Sequence, residues 1–183
     1  MDDPNQTGDD VTLRRMEDRI RVLTETLRAF AEATPDHDRL LAAIAANLAR
    51  VLGDTCTLRV LSDDGARLDL VAVDARDPAV ARRIREHPSA TVALDAHAHM
   101  AAVLRGGEAV IRAVGPAPSR EDASPDSRDL MTSLGLHSAL MVPLRLYGRS
   151  IGMLVLGRLG ASPAYGADDR ELAVALADQA ALA

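Results

Sequence analysis

The sequence predicts an α+β domain, and three observations carry that prediction. Two pairs of apolar, β-rich runs are each joined by a tight turn: TCTLRVLS (55–62) and ARLDLVAVD (66–74) around Asp63-Asp64-Gly65, and SALMVPL (138–144) and IGMLVLG (151–157) around Leu146-Tyr147-Gly148-Arg149. Turns this short force antiparallel pairing. Helical periodicity brackets the strands at both ends, so the order helix, hairpin, mixed segment, hairpin, helix excludes a parallel βαβ sheet. The later strands are apolar at nearly every position rather than at alternate ones, which implies that both faces of the sheet are covered.

The elements follow in order. Residues 1–10 are polar and read as a disordered tail. Over 11–33, Leu13, Met16, Ile20, Leu23, Leu27 and Phe30 recur at alternating spacings of three and four, the a/d stripe of a parallel dimer helix. Burying six such side chains yields on the order of 10 kcal/mol at most, against an association cost of ~4–15 kcal/mol. A second helix is therefore expected to share the interface. Thr34-Pro35-Asp36 separates this helix from the next, whose apolar face is Leu41, Ile44, Leu48 and Val51, with Gly53 as a C-cap.

After the first hairpin, Asp77-Pro78 opens a short helix through Arg85. SATVALD (89–95) reads as a short extended piece, AHAHMAAVLRG (96–106) as a helix stopped by Gly106-Gly107, and EAVIRAV (108–114) as a strand. The segment 115–129 is a polar loop rich in Pro, Ser and Asp, of a length that in a compact domain is usually functional or disordered. SRDLMTSLG (127–135) makes a short helix before the second hairpin. Asp168-Asp169-Arg170-Glu171 resembles a capping box ahead of LAVALADQAALA. That final pattern has no C-cap, so the helix is expected to continue into an output module.

Composition narrows the function. The chain has 183 residues, 48% hydrophobic but only 2% aromatic, so its core is aliphatic. A net charge of −6 argues against nucleic acid or an anionic membrane as the main partner. All 21 basic residues are arginine, the codon usage expected of a GC-rich bacterial genome. The one cysteine, Cys56, excludes an internal disulfide and a cysteine-based metal cluster. No apolar run approaches the ~20 residues that span a bilayer, and the acidic start is no signal peptide, so the expected compartment is the cytoplasm.

The segment LGLHSALMVPLRLYGRSIGMLVL, preceded by VLRGGEAVI and followed by YGADDRELAVALADQAALA, resembles a GAF domain of a bacterial signalling protein, of the sensor histidine kinase or serine phosphatase type. The turn Arg105-Gly106-Gly107-Glu108 and the run from Ser138 through Leu156 carry the likeness. The hairpin LGDTCTLRVLSDDGARLDLVAVDARDP adds to it, and the resemblance spans roughly 35–183, with the domain placed at 34–183. It implies a central antiparallel sheet of about six strands, N- and C-terminal helices on one face, and short helices with a long loop over a ligand pocket on the other.

Departures from the family narrow the chemistry. The Asn-Lys-Phe-Asp-Glu signature of cyclic-nucleotide phosphodiesterase members is absent, since the chain has no lysine. Methionine-sulfoxide reductases of this fold need several cysteines. Bilin-binding members carry a Cys beside a His, where this chain reads Ala96-His97-Ala98-His99.

On that reading the pocket is lined by His97, Met100, Leu104, Ile111 and Arg112 from the middle of the chain, and by Met131, Leu134, His137 and Met141 further on. Flexible thioethers suit an adaptable apolar cavity, although plain core filling explains them equally well. Arg112 could meet an anionic ligand or sit on a solvated strand edge. His97 and His99 point roughly 200° apart on a helix and cannot chelate one ion together. No serine elbow or aspartate accompanies His137, which excludes a recognisable hydrolase triad. Cys56, between threonines in a strand, reads as a buried small apolar residue.

The expected function is a non-catalytic sensory module that binds an unidentified small molecule, dimerises through its terminal helices and regulates an attached kinase or phosphatase. The alternatives are a dimerisation scaffold with no ligand, and a haem-based gas sensor using one of the histidines as axial ligand. No cofactor is fixed by the sequence.

Overall fold

The computed structural model describes residues 37–116, 118 and 123–181. The tail and the heptad stripe from Leu13 to Phe30 lie outside the described residues. Helix α1 (His37–Leu52) buries Leu40, Leu41, Ile44, Leu48 and Leu52, with Val51 partly covered. Strands β1 (Thr55–Leu61) and β2 (Arg67–Ala75) form the first hairpin. Helix α2 (Pro78–Glu86) follows, its N-cap Asp77 accepting from the Ala79 amide with Pro78 in the first turn.

The segment expected to be extended is instead a 3-10 turn (Pro88–Ala90), a two-residue strand β3 (Val92–Ala93) and a second 3-10 turn (Leu94–Ala96). Helix α3 (Ala98–Gly106) ends on Gly107, whose φ of 69° lets its amide reach the Val103 carbonyl. Strand β4 (Val110–Ala113) leads through the partly described loop to α4 (Pro125–Leu134). Strands β5 (Leu136–Leu146) and β6 (Arg149–Leu159) then form the second hairpin, and α5 (Ala167–Ala180) closes the domain.

The expected loop of 115–129 is thus shorter. Ser124 caps α4 by accepting from the Ser127 amide, and Pro125 fills its first turn. The capping box is shifted as well. Asp169 reaches back to the amide of Gly166, the residue before α5, at 2.8 Å, so the reciprocal bond starts two residues earlier than the sequence suggested.

One six-stranded antiparallel sheet runs in the order β3-β2-β1-β6-β5-β4, as expected for the fold. Pairing of β1 with β6 places the two hairpins side by side, with Thr55 opposite Gly157 and Leu58 opposite Leu154. Period-two alternation then sorts the side chains. Cys56 and Leu58, Leu140, Val142 and Leu144, and Leu154 and Leu156 face α1 and α5 in one dry aliphatic core. Met141 and Met153 face the other way, beneath α3, with Leu68 and Val92. Val73 joins Ala81, Ile84, Leu130 and Leu134 under α2 and α4.

The alternation of β2 changes phase midway. The register passes from Leu58 opposite Ala72 to Arg59 opposite Leu70, leaving Val71 as a bulge. Leu68 and Leu70 would otherwise share the helix face with Ala72. The extra residue turns them onto the opposite face, where that layer needs them. The second hairpin turns on Tyr147 and Gly148, at φ values of 49° and 78°, the two-residue geometry that matches strand twist.

Gly53 does not have the left-handed backbone of a C-cap. It is small because a Cβ there would lie 2.6 Å from the Tyr165 hydroxyl. Gly152 is held more tightly: a Cβ would meet the Arg59 carbonyl oxygen on the neighbouring strand.

Gly152→Ala is expected to destabilise the domain by about 1–3 kcal/mol or more in urea denaturation, because backbone rather than a movable side chain must shift. Gly106→Ala, where an added Cβ meets nothing within 4 Å and no positive φ is required, is expected to stay within about 1 kcal/mol of the parent.

Candidate functional site

The face opposite the long helices holds most of the buried polar side chains. Along β1, Thr55, Thr57 and Arg59 alternate with Cys56 and Leu58, and all five are buried. Ser89 from the first 3-10 turn, His97 ahead of α3 and Ser127 on α4 converge on the same place, each also buried. They line a cavity of about 100 Å³ whose apolar walls include Ile84, Val92, Met100, Leu130, Met131 and Leu134. A second cavity of about 220 Å³ adjoins it, sharing His97, Met100, Met131, Leu136, Ala139 and Val155, and adding Arg112, Met141 and the loop residues Gly115 and Pro118.

His97 is fixed at both ring nitrogens. Nδ1–H donates to the Ala93 carbonyl at 2.9 Å, which leaves Nε2 to accept from the Ser127 hydroxyl at 2.9 Å, and the Ser124 hydroxyl donates in turn to Ser127 at 3.0 Å. This relay ties the start of α3 to the first turn of α4, the two elements that roof the cavity. Burial lowers the pKa of His97 first. The neighbouring Arg59 charge lowers it further, against the Ala93 bond and Asp95, which raise it.

Arg59 is 6% exposed. Nη1 donates to the Ala90 carbonyl and Nη2 to the Ser89 carbonyl at 3.3 Å, while Nε–H is buried with no partner. Desolvation pulls its pKa down to about 10, with Asp69 opposing, so the guanidinium stays charged at neutral pH.

Six of the residues expected around the pocket meet there: His97, Met100, Met131, Leu134, Met141 and Arg112 each line one or both cavities. Three do not. Ile111 lies opposite Leu140 in the β4–β5 ladder and so faces the long-helix core. In a strand of four residues with adjacent Val110 and Ile111, hydropathy leaves the phase undetermined. Leu104 borders an open surface cleft with Arg67, Arg105, Arg145 and Arg149. His137 stands where the β5–β6 register slips between Leu136 and Ser138, and lines neither cavity.

The sequence reading missed Thr55, Thr57, Arg59, Ser89 and Ser127. A signal for the first three was present: polar residues at period two in a strand whose other residues are apolar.

Metal, haem and thiol chemistry find little support in this arrangement. No group of three or more potential metal ligands occurs among the described residues. Both nitrogens of His97 are engaged, and each cavity is smaller than the ~300–1,000 Å³ of drug-sized ligand sites, so the space does not fit a haem. Cys56 is buried on the helix face, away from the cavity, and burial pushes its thiol pKa up.

A six-stranded antiparallel sheet backed by long helices on one face, with a small polar-floored cavity under short helices on the other, is the architecture of a sensory and regulatory fold class. The family model for the GAF domain matches residues 36–183, and the chain belongs to that family. Domains of this family are generally non-catalytic and regulatory.

Solved structures of the same fold include the GAF domain of a phosphoenolpyruvate-protein phosphotransferase from Coxiella burnetii, 18% identical with a TM-score of 0.69, covering 91% of this chain and 90% of that one. The phycocyanobilin-bound GAF domain of a cyanobacterial phytochrome is 14% identical with a TM-score of 0.67, covering 89% and 92%. The second GAF domain of DevS from Mycobacterium smegmatis is 21% identical with a TM-score of 0.57, covering 80% and 91%. No curated protein matches the chain. Among the described residues no helix is long and apolar enough to cross a membrane.

The depressed pKa of His97 has a definite sign in stability. Below the unfolded value near 6.5 the unfolded chain takes up a proton that folded His97 resists, so stability falls as pH drops from about 6.5 towards the folded pKa. His97→Gln is expected to flatten this part of a stability–pH profile measured by urea denaturation from pH 7.5 to 5. An unchanged slope would contradict a neutral buried imidazole.

Proposed function

We propose that this chain is a non-catalytic sensory module that binds a small molecule in the paired cavities and regulates an attached signalling output domain as a cytoplasmic homodimer. The observation that carries this reading is the convergence of six buried polar side chains on a cavity beneath short, separately anchored helices. A domain that only scaffolded would gain stability by filling that space with aliphatic side chains. The His97–Ser127 relay supplies a means of response, because a ligand that displaces Ser127 would loosen α4 from α3 and shift the equilibrium of the roof.

Self-association falls to the stripe Leu13, Met16, Ile20, Leu23, Leu27 and Phe30, with α5 as the second helix the energetics demand. One structural relative is a GAF domain/HD domain protein from Geobacter sulfurreducens, so the fold does occur together with other domains. For this chain a kinase or phosphatase output remains the reading taken from the sequence resemblance.

Two measurements test this. Light scattering on the full chain should give a dimer, and Ile20→Asp with Leu27→Asp should give a monomer whose far-ultraviolet circular dichroism is otherwise little changed. Mass spectrometry of the small molecules released on unfolding the freshly purified protein should find one compound at near-stoichiometric amount. A dimer indifferent to the double substitution would refute the heptad interface.

A further inference from the structure

We infer that the inner cavity is a carboxylate site, in which Arg59 holds the anionic end of a small organic acid and the apolar wall takes its short body. This rests on the sensory reading above and names the ligand class for the same cavity. A guanidinium carries five N–H donors. On Arg59 two are satisfied by the Ala90 and Ser89 carbonyls, and Nε–H is buried without a partner. Nε–H and the Nη N–H beside it lie on one edge of the guanidinium plane, the fork that matches both oxygens of a carboxylate.

The described residues place no carboxylate in ion-pair contact with this cation. Asp69 acts on it from the neighbouring strand and itself accepts a hydrogen bond from Thr91 at 3.1 Å. A positive charge 94% buried, with neutral donors and acceptors around it and open space beside it, lacks the counter-charge that buried ions require. The other buried unpartnered side-chain atoms among the described residues, on Arg128, His137, Arg158 and Tyr165, line neither cavity.

Size and charge select the class. A cavity of about 100 Å³ is well below the size of drug-sized ligand sites, which restricts its occupant to a small acid. One guanidinium balances one negative charge, so a monoanion fits better than a phosphate dianion. Thr55 and Thr57 precede Arg59 on the same face of β1 and line the same cavity. Ile84, Leu130 and Met131 supply the apolar wall.

The test titrates the full chain with acids of about two to six carbons and with the matched amides, followed by isothermal calorimetry and thermal melting. Inorganic phosphate and sulfate serve as further probes. At least one acid should raise the melting temperature and bind at least about tenfold more tightly than its amide, with phosphate and sulfate giving no shift. Arg59→Lys, which keeps the charge but loses the fork, should weaken that acid about tenfold or more.

Amides that bind as well as acids, or acid binding undiminished in a folded Arg59→Lys protein, would overturn the inference and leave the sensory reading standing. So would phosphate or sulfate binding as tightly as the best acid. Should Arg59→Lys fail to fold, the acid–amide comparison on the unaltered chain decides alone. If no acid binds but a different compound is released on unfolding, the carboxylate site falls and the sensor survives. If nothing binds and nothing is released, both fall.

Discussion

Everything else in this domain depends on the alternation Thr55-Cys56-Thr57-Leu58-Arg59 along the central strand β1. The strand is buried on both sides, yet its two sides carry opposite chemistry. Cys56 and Leu58 pack into the aliphatic core under α1 and α5, where β1 and β6 pair residue for residue. Thr55, Thr57 and Arg59 point into the opposite layer and give it a polar floor. Burying a guanidinium costs several kcal/mol even after relaxation. The backbone carbonyls of Ser89 and Ala90 offset part of that cost, which ties the 3-10 turn to the sheet.

The same strand is the shortest physical path between the two layers. Arg59 is one residue from Leu58, and its carbonyl oxygen stands where a Cβ on Gly152 would have to go. Backbone contact this close leaves the β1–β6 seam no room for a side chain at position 152. On the far side, α1 packs against β1 and β2 while α5 packs against β5. The roof is built differently, from short elements: α3 meets the inner cavity through Met100 and α4 through Ser127, Leu130, Met131 and Leu134, and the two are linked by the His97–Ser127–Ser124 relay. The cavity thus lies between a sheet-built floor and a roof of short elements joined by one side-chain relay.

Much of this was legible in the sequence, for identifiable reasons. Gly65 and Gly148 mark both hairpin turns because each holds a positive φ that glycine adopts freely. The uninterrupted apolar runs of β5 and β6 announce a sheet covered on both sides. What stayed hidden was phase. The bulge at Val71 leaves no mark in hydropathy, since Leu68, Leu70 and Ala72 alternate as though they shared one face. Ile111 went to the wrong face for the same reason. The small size of Gly53 reflects the nearby Thr55 carbonyl and also the Tyr165 hydroxyl, more than a hundred residues away and outside any local pattern. Arg59 was passed over because a lone arginine in a strand reads as a solvated edge until its neighbours on both sides are known.

The two cavities are best understood through the residues they share. Met100 and Met131 border both, and an unbranched thioether swings between rotamers at small cost. Their positions set whether the space is two small chambers or one longer channel from Arg59 to Arg112. An occupant confined to the inner chamber would meet the charged floor alone. One that moved the methionines would reach β4 and the loop at Gly115 and Pro118 as well. In the proposed site, chain length beyond the charged end would be read by methionine displacement and the charged end by β1. The proposed site would thereby divide affinity and conformational response between different walls, β1 and the two methionines.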